Sequence, residues 1–112
     1  MVCNRKNKPK EIGMKNTHFV TPSGLDDENH YSTAYDLALL MAKALKNEKF
    51  REITKNTDMT VSFLTPRKEV SYHNHNRLLS LYEYCIGGKT GYTKSAGRCL
   101  VSASKKDGVT LI

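Results

Sequence analysis

The residues of this chain that could do chemistry gather in Gly87-Gly88-Lys89-Thr90-Gly91-Tyr92-Thr93, followed by Lys94-Ser95-Ala96-Gly97. An ammonium and a hydroxyl on one strand can hold a carboxylate, and a backbone N–H such as that of Tyr92 can donate to an oxyanion. A glycine beside them lets a second backbone come close, because it has no Cβ to hold a partner away. The chemistry is that of an anion-receiving strand edge. On the residues alone a competing reading stands beside it: a strand with a solvent-facing lysine and a glycine bulge.

Other candidates carry less. His73 and His75 alternate, so on a strand they would share a face, but a third metal ligand at plausible spacing is not evident and Cys85 is an arbitrary choice. His18 and His30 read as loop residues that hydrogen-bond, since neither has a nucleophile near it in sequence. Of the serines, from Ser23 and Ser32 through Ser102 and Ser104, none is read as sitting in S-x-x-K or G-x-S-x-G, so no activated nucleophile is expected.

Composition bounds the fold. The chain has 112 residues, 38% of them apolar, with 7 glycines and 3 prolines, which fits one globular domain and argues against disorder. The formal charge of +7 suggests attraction to polyanions, but the basic residues are scattered and no nucleic-acid partner is expected. Cys3, Cys85 and Cys99 are an odd set without C-x-x-C spacing, so they are read as small buried apolar residues. No apolar run is long enough to cross a membrane, and no charged-then-apolar leader is read in these residues.

The elements that must position the strand follow from periodicity. Met1 to Lys15 is basic and weakly patterned, with Ile12 and Met14 as its core contacts; Thr21-Pro22-Ser23-Gly24 supplies turn chemistry. Ser32 or Thr33 can cap a helix in which Leu37, Leu40, Met41, Ala44 and Leu45 form one apolar stripe, with Asp36 completing a capping-box-like pair. Asn47 can cap a second helix from Glu48 to Ile53. Met59, Val61 and Phe63 then alternate with polar residues, a half-buried strand that turns at Thr65-Pro66-Arg67 and returns over Lys68 to Tyr72. His73 to Leu79 is a loop entering a short helix. Ile86 to Thr93 and Cys99 to Ser104 are strands, and Asp107-Gly108 is a hairpin turn into Val109 to Ile112. A ragged start and an unfinished last strand lead us to expect a piece of a longer protein.

Four ordered blocks carry a resemblance. Gly13-Met14-Lys15-Asn16-Thr17-His18-Phe19-Val20-Thr21-Pro22-Ser23-Gly24-Leu25, His30 to Ala38, Asn74-His75-Asn76-Arg77-Leu78-Leu79 and Gly88 to Gly97 resemble, in order and spacing, serine-type D-alanyl-D-alanine carboxypeptidases. These are the low-molecular-weight penicillin-binding proteins of peptidase family S11. The resemblance implies an α/β (α+β) chain: part of the DD-peptidase/β-lactamase-like fold, an antiparallel sheet flanked by helices. It implies serine acyl transfer on the D-Ala-D-Ala stem peptide of peptidoglycan, with β-lactams acylating the same serine. No cofactor is implied. The parent would be exported to the extracytoplasmic face of the cell envelope, and any membrane association would run through segments outside these residues.

Carried onto this sequence, the resemblance gives Lys89 the electrostatics and proton network. Thr90 would hold the terminal D-Ala carboxylate, and Gly91 would give clearance. Tyr92 would offer its N–H as half an oxyanion hole, and Thr93 a second carboxylate contact. Residues 1–112 are expected to be a partial penicillin-recognising domain that lacks the family's S-x-x-K and S-x-N part, is truncated at the C-terminus, and is inactive alone. The alternative is a non-catalytic module of the same fold that binds peptidoglycan or a protein.

Overall fold

The computed structural model describes residues 8–112. Cys3 and the first residues of the basic start lie outside them. Pro9 stands in the first turn of a short helix, α1 (Lys8–Ile12), where a missing N–H costs no helical hydrogen bond. The sequence reading places no helix there. Behind it Met14 is buried, its N–H bonded to the Pro9 carbonyl.

The apolar stripe forms α2 (Ala34–Ala44), and Thr33 caps it by accepting the Asp36 N–H at 3.2 Å. Only half of the expected capping box is present. The Asp36 carboxylate turns away from the cap, is buried, and accepts from the Asn16 N–H at 2.8 Å and the Thr17 hydroxyl at 2.7 Å. A charged acceptor in that place ties the preceding loop to the positive end of α2. Asn47 caps α3 (Glu48–Thr54) through the Phe50 N–H, as its side chain predicts.

The next segment is a separate hairpin, β1 (Asp58–Leu64) with β2 (Arg67–His73), antiparallel and in continuous register. Alternation gives the strands their form but little burial. Val61 and Val70, directly opposite one another, are half-buried, while Met59 and Phe63 remain 39% and 37% exposed. The loop after β2 leads into a one-turn helix, α4 (Leu78–Leu81).

The main sheet is antiparallel, β3 (Cys85–Thr93), β4 (Gly97–Lys106) and β5 (Val109–Leu111), in the order β3-β4-β5. Asp107 and Gly108 both take positive φ in the tight turn before β5, as the Asp-Gly pair foretells. Met41 on α2 and Leu45 at its C-cap, four residues on, pack on Ala103 of β4, with Phe50, Ile86 and Val101 around them. Helix α2 thus packs on β4, and α3 and α4 pack against β3. The expected antiparallel sheet with helices against it is what forms. β3 is its edge strand: among the described residues no strand pairs with its outer side.

Candidate functional site

The site is built from the pleat of β3 and β4. A register shift between Cys85 and Gly87 sends Ile86 toward the core and sets Gly88 opposite Ser102, Thr90 opposite Leu100, and Tyr92 opposite Arg98. Opposed residues share a face, so Gly88, Ser102, Thr90, Leu100, Tyr92 and Arg98 lie on one side of the sheet. Lys89 and Val101 lie on the side that packs on α2.

Glycine is required at Gly88, where a Cβ would come 2.6 Å from the Val101 carbonyl oxygen and 2.8 Å from Nδ2 of Asn76. The close approach expected of a glycine in this motif therefore falls one residue before Lys89. At Gly91 a Cβ would meet no atom of the chain within 4 Å. Nothing in the fold needs a glycine there, and the space above it is open.

Asn76 holds the loop onto this face. It is 2% exposed, and its Nδ2 donates to the Ser102 Oγ at 3.3 Å. Its Oδ1 accepts the Leu78 N–H at 3.2 Å, and its own N–H donates to Asn74 Oδ1 at 2.9 Å. Ser102 in turn donates to the Gly87 carbonyl at 3.1 Å. The loop, β3 and β4 are thereby joined through one buried carboxamide, which places His75 over the cavity.

That cavity, about 660 Å³, opens along β3 and is lined by Lys89, Thr90, Gly91 and Tyr92 from that strand, by Arg98, Cys99 and Leu100 from β4, and by His75. Lys89 is exposed, and its Nζ donates to the Thr90 carbonyl oxygen. Tyr92 is 70% exposed. No acidic residue lines the cavity. An exposed ammonium, a hydroxyl and unpaired strand edge in one concave surface make a receptor for an anionic, extended ligand.

Four of the five expected residues, Lys89, Thr90, Gly91 and Tyr92, are brought together here. Thr93 is not among the lining residues, and its Oγ1 accepts the Ala96 N–H at 3.0 Å, closing the β3–β4 turn. Arg98 and Leu100 enter through register, which motif reading could not supply; the signal available was only their place on the return strand, nine and eleven residues past Lys89.

Three sequence readings need correction. Ser102-Ala103-Ser104-Lys105 does have the S-x-x-K spacing, but it lies on β4. On a helix that spacing puts serine and lysine on one face, whereas on a strand residues three apart point to opposite faces. Ser102 is moreover held between Asn76 and Gly87. His73, read as opening the loop, instead ends β2, where its Nδ1 bonds Asp58 at 2.8 Å, and His75 lies beyond that strand. Cys85 is half-buried and Cys99 exposed on β4. His18 and His30 do bind loop backbone: His18 donates from Nδ1 to the Asn29 carbonyl at 2.7 Å, and His30 Nδ1 accepts N–H groups of Val20 and Thr21 at 3.2 and 3.3 Å.

The helix-backed antiparallel sheet that carries this cavity matches DD-transpeptidase structures over part of their length. Residues 2–112 match the family model of D-alanyl-D-alanine carboxypeptidases, peptidase S11, and the chain belongs to that family. It is 41% identical over 107 residues to D-alanyl-D-alanine carboxypeptidase DacF of Bacillus subtilis, covering 94% of this chain and 27% of that one. It is 36% identical to DacB2 of Mycobacterium tuberculosis, covering 94% of this chain and 36% of the relative. The crystal structure of the Streptomyces K15 DD-transpeptidase superposes with a TM-score of 0.84 at 34% identity, over 93% of this chain and 41% of that one. The chain therefore spans between about a quarter and two-fifths of the relatives it matches.

Proposed function

We propose that this chain is one wall of a D-alanyl-D-alanine carboxypeptidase active site, acting by serine acyl transfer on peptidoglycan stem peptides. The observation that carries the reading is the free edge of β3, with Lys89 and Thr90 bordering a cavity that holds no carboxylate and open space above Gly91. A terminal D-Ala carboxylate docks on the Thr90 hydroxyl in the field of the Lys89 ammonium. Residues two apart on a strand direct their N–H groups to the same edge, so Thr90 and Tyr92 act together: the first side chain holds the carboxylate, the second N–H faces the scissile carbonyl as half an oxyanion hole. Gly91 leaves room for the peptide backbone. Thr93 keeps its hydroxyl proton free to donate while closing the turn, and serves as a second contact when the ligand tilts toward it.

Residues 1–112 contribute recognition and not the nucleophile. Among the described residues, the one serine in S-x-x-K spacing is Ser102, and it is committed to the Asn76–Gly87 network. The domain unit is read as partial, its nucleophilic wall supplied by sequence equivalent to the rest of the relatives' length. The whole protein would work at the outer face of the cell envelope and take β-lactams as well as muropeptides. Titrating isotope-labelled chain with acetyl-D-Ala-D-Ala tests the reading: amide shifts should centre on Thr90 to Tyr92, and shifts elsewhere or none would refute it. Incubation of the 112 residues with a fluorescent penicillin should leave no labelled band on a denaturing gel, and a band would overturn the assignment of a missing nucleophile.

A further inference from the structure

The groups on the Thr90 face of the cavity are not all used by a terminal carboxylate. Arg98 lines the same cavity from β4, is exposed, and its side chain forms no hydrogen bond or ion pair among the described residues. It stands opposite Tyr92 and diagonal to Thr90, a separation of about 7–8 Å between Cα atoms for such a pair. With no acid in the lining, its guanidinium has no partner in the cavity. Its planar fork matches a carboxylate in two parallel hydrogen bonds, which a lysine cannot reproduce.

We propose that Arg98 forms a second anion subsite that reads a side-chain carboxylate on the residue preceding the D-Ala-D-Ala unit. The inference rests on the substrate reading above. With the terminal carboxylate at Thr90 and the scissile carbonyl at the Tyr92 N–H, the peptide runs along β3 from Thr90 toward Thr93. What lies past Tyr92 is therefore the residue upstream of the scissile pair. In an extended ligand on the outer edge of β3 that residue stands about two positions, roughly 6.8 Å, along the strand from the terminal one, level with the Tyr92–Arg98 pair. Arg98 lies two strand spacings away, roughly 10 Å, a gap that an extended arginine and a glutamate side chain together span over the Tyr92 face. The favoured substrate is an acidic peptide with two carboxylates spaced along one strand face.

The test uses a peptide pair that differs in charge alone, acetyl-Glu-D-Ala-D-Ala and acetyl-Gln-D-Ala-D-Ala, titrated at low salt into the full chain. The chain should bind the Glu peptide about tenfold more tightly, as a charge-assisted bidentate pair supplies. Arg98→Ala should bring the ratio to about one by weakening the Glu peptide more than the Gln peptide, with Arg98→Lys between the two. Thr90→Val should weaken both peptides alike. Equal binding of both peptides by the unaltered chain, or a Glu preference that survives Arg98→Ala, overturns the subsite and leaves the substrate reading standing. Binding of neither peptide overturns the substrate reading, and the subsite with it.

Discussion

The buried carboxamide of Asn76 donates to the hydroxyl of Ser102 across 26 positions of sequence, at 3.3 Å, and that contact fixes the loop before α4 onto the face of β3 and β4. Removing it leaves the Leu78 N–H without its acceptor as well. Asn76→Ala should lower the unfolding free energy by about 1–3 kcal/mol, the cost of leaving buried polar groups unsatisfied. Urea denaturation of the variant, of Ser102→Ala and of the double variant should give losses that do not add, because the two residues share one network.

Gly88 and Gly91 should separate fold from function. Gly88→Ala drives a Cβ against the Val101 carbonyl, which belongs to paired backbone and cannot swing aside. The expected loss is about 1–3 kcal/mol in the same denaturation measurement. Gly91→Ala meets nothing in the chain and should stay within about 0.5 kcal/mol of the parent. It should nevertheless weaken acetyl-D-Ala-D-Ala binding, since the added methyl occupies the space the ligand backbone needs. Unchanged peptide affinity in Gly91→Ala would count against docking on this edge.

The carboxylate of Asp36 gathers Asn16 and Thr17 onto the start of α2. Asp36→Ala abolishes two charge-assisted bonds in a buried position and should cost about 1.5–3 kcal/mol. Hydrogen exchange should show the loss locally, as faster exchange of the Asn16 amide. A variant in which that amide stays as protected as before would refute the role.

Asp58 and His73 make an exposed pair at the open end of the β1–β2 hairpin, and the hydrogen bond from His73 holds the Asp58 carboxyl below its ordinary value of 3.8. A folded-state value below the unfolded one means the contribution is fully present above 3.8 and is lost as pH falls through the lowered folded value. Carboxyl NMR should place the Asp58 midpoint below 3.8, and His73→Ala should move it upward. A midpoint that does not respond to His73→Ala would rule out the pair.

Much of the fold could be read from the residues, because its signals are local. The stripe on α2, the Asn47 cap, the hairpin arms and the Asp107-Gly108 turn each depend on side chains within a few positions of one another. α1 escaped because five residues around a proline carry no periodicity. The partner of Asp36 escaped for a different reason: a carboxylate three residues after a cap is placed well for two bonds, and only the approach of the Asn16–Thr17 loop chose between them.

The site divides the same way. Lys89-Thr90-Gly91 announces itself by type and spacing, and with the three other blocks it determined the family and the kind of ligand to expect. Sequence alone could not say that Gly88 rather than Gly91 is the close approach, that Ser102 in S-x-x-K spacing lies on a strand, or that Arg98 faces Thr90's cavity. Those facts follow from the register of β3 on β4, set by one bulge between Cys85 and Gly87. A one-residue slip would turn every side chain of the strand to its other face, so packing against α2 and Asn76 decides what motif spacing leaves open.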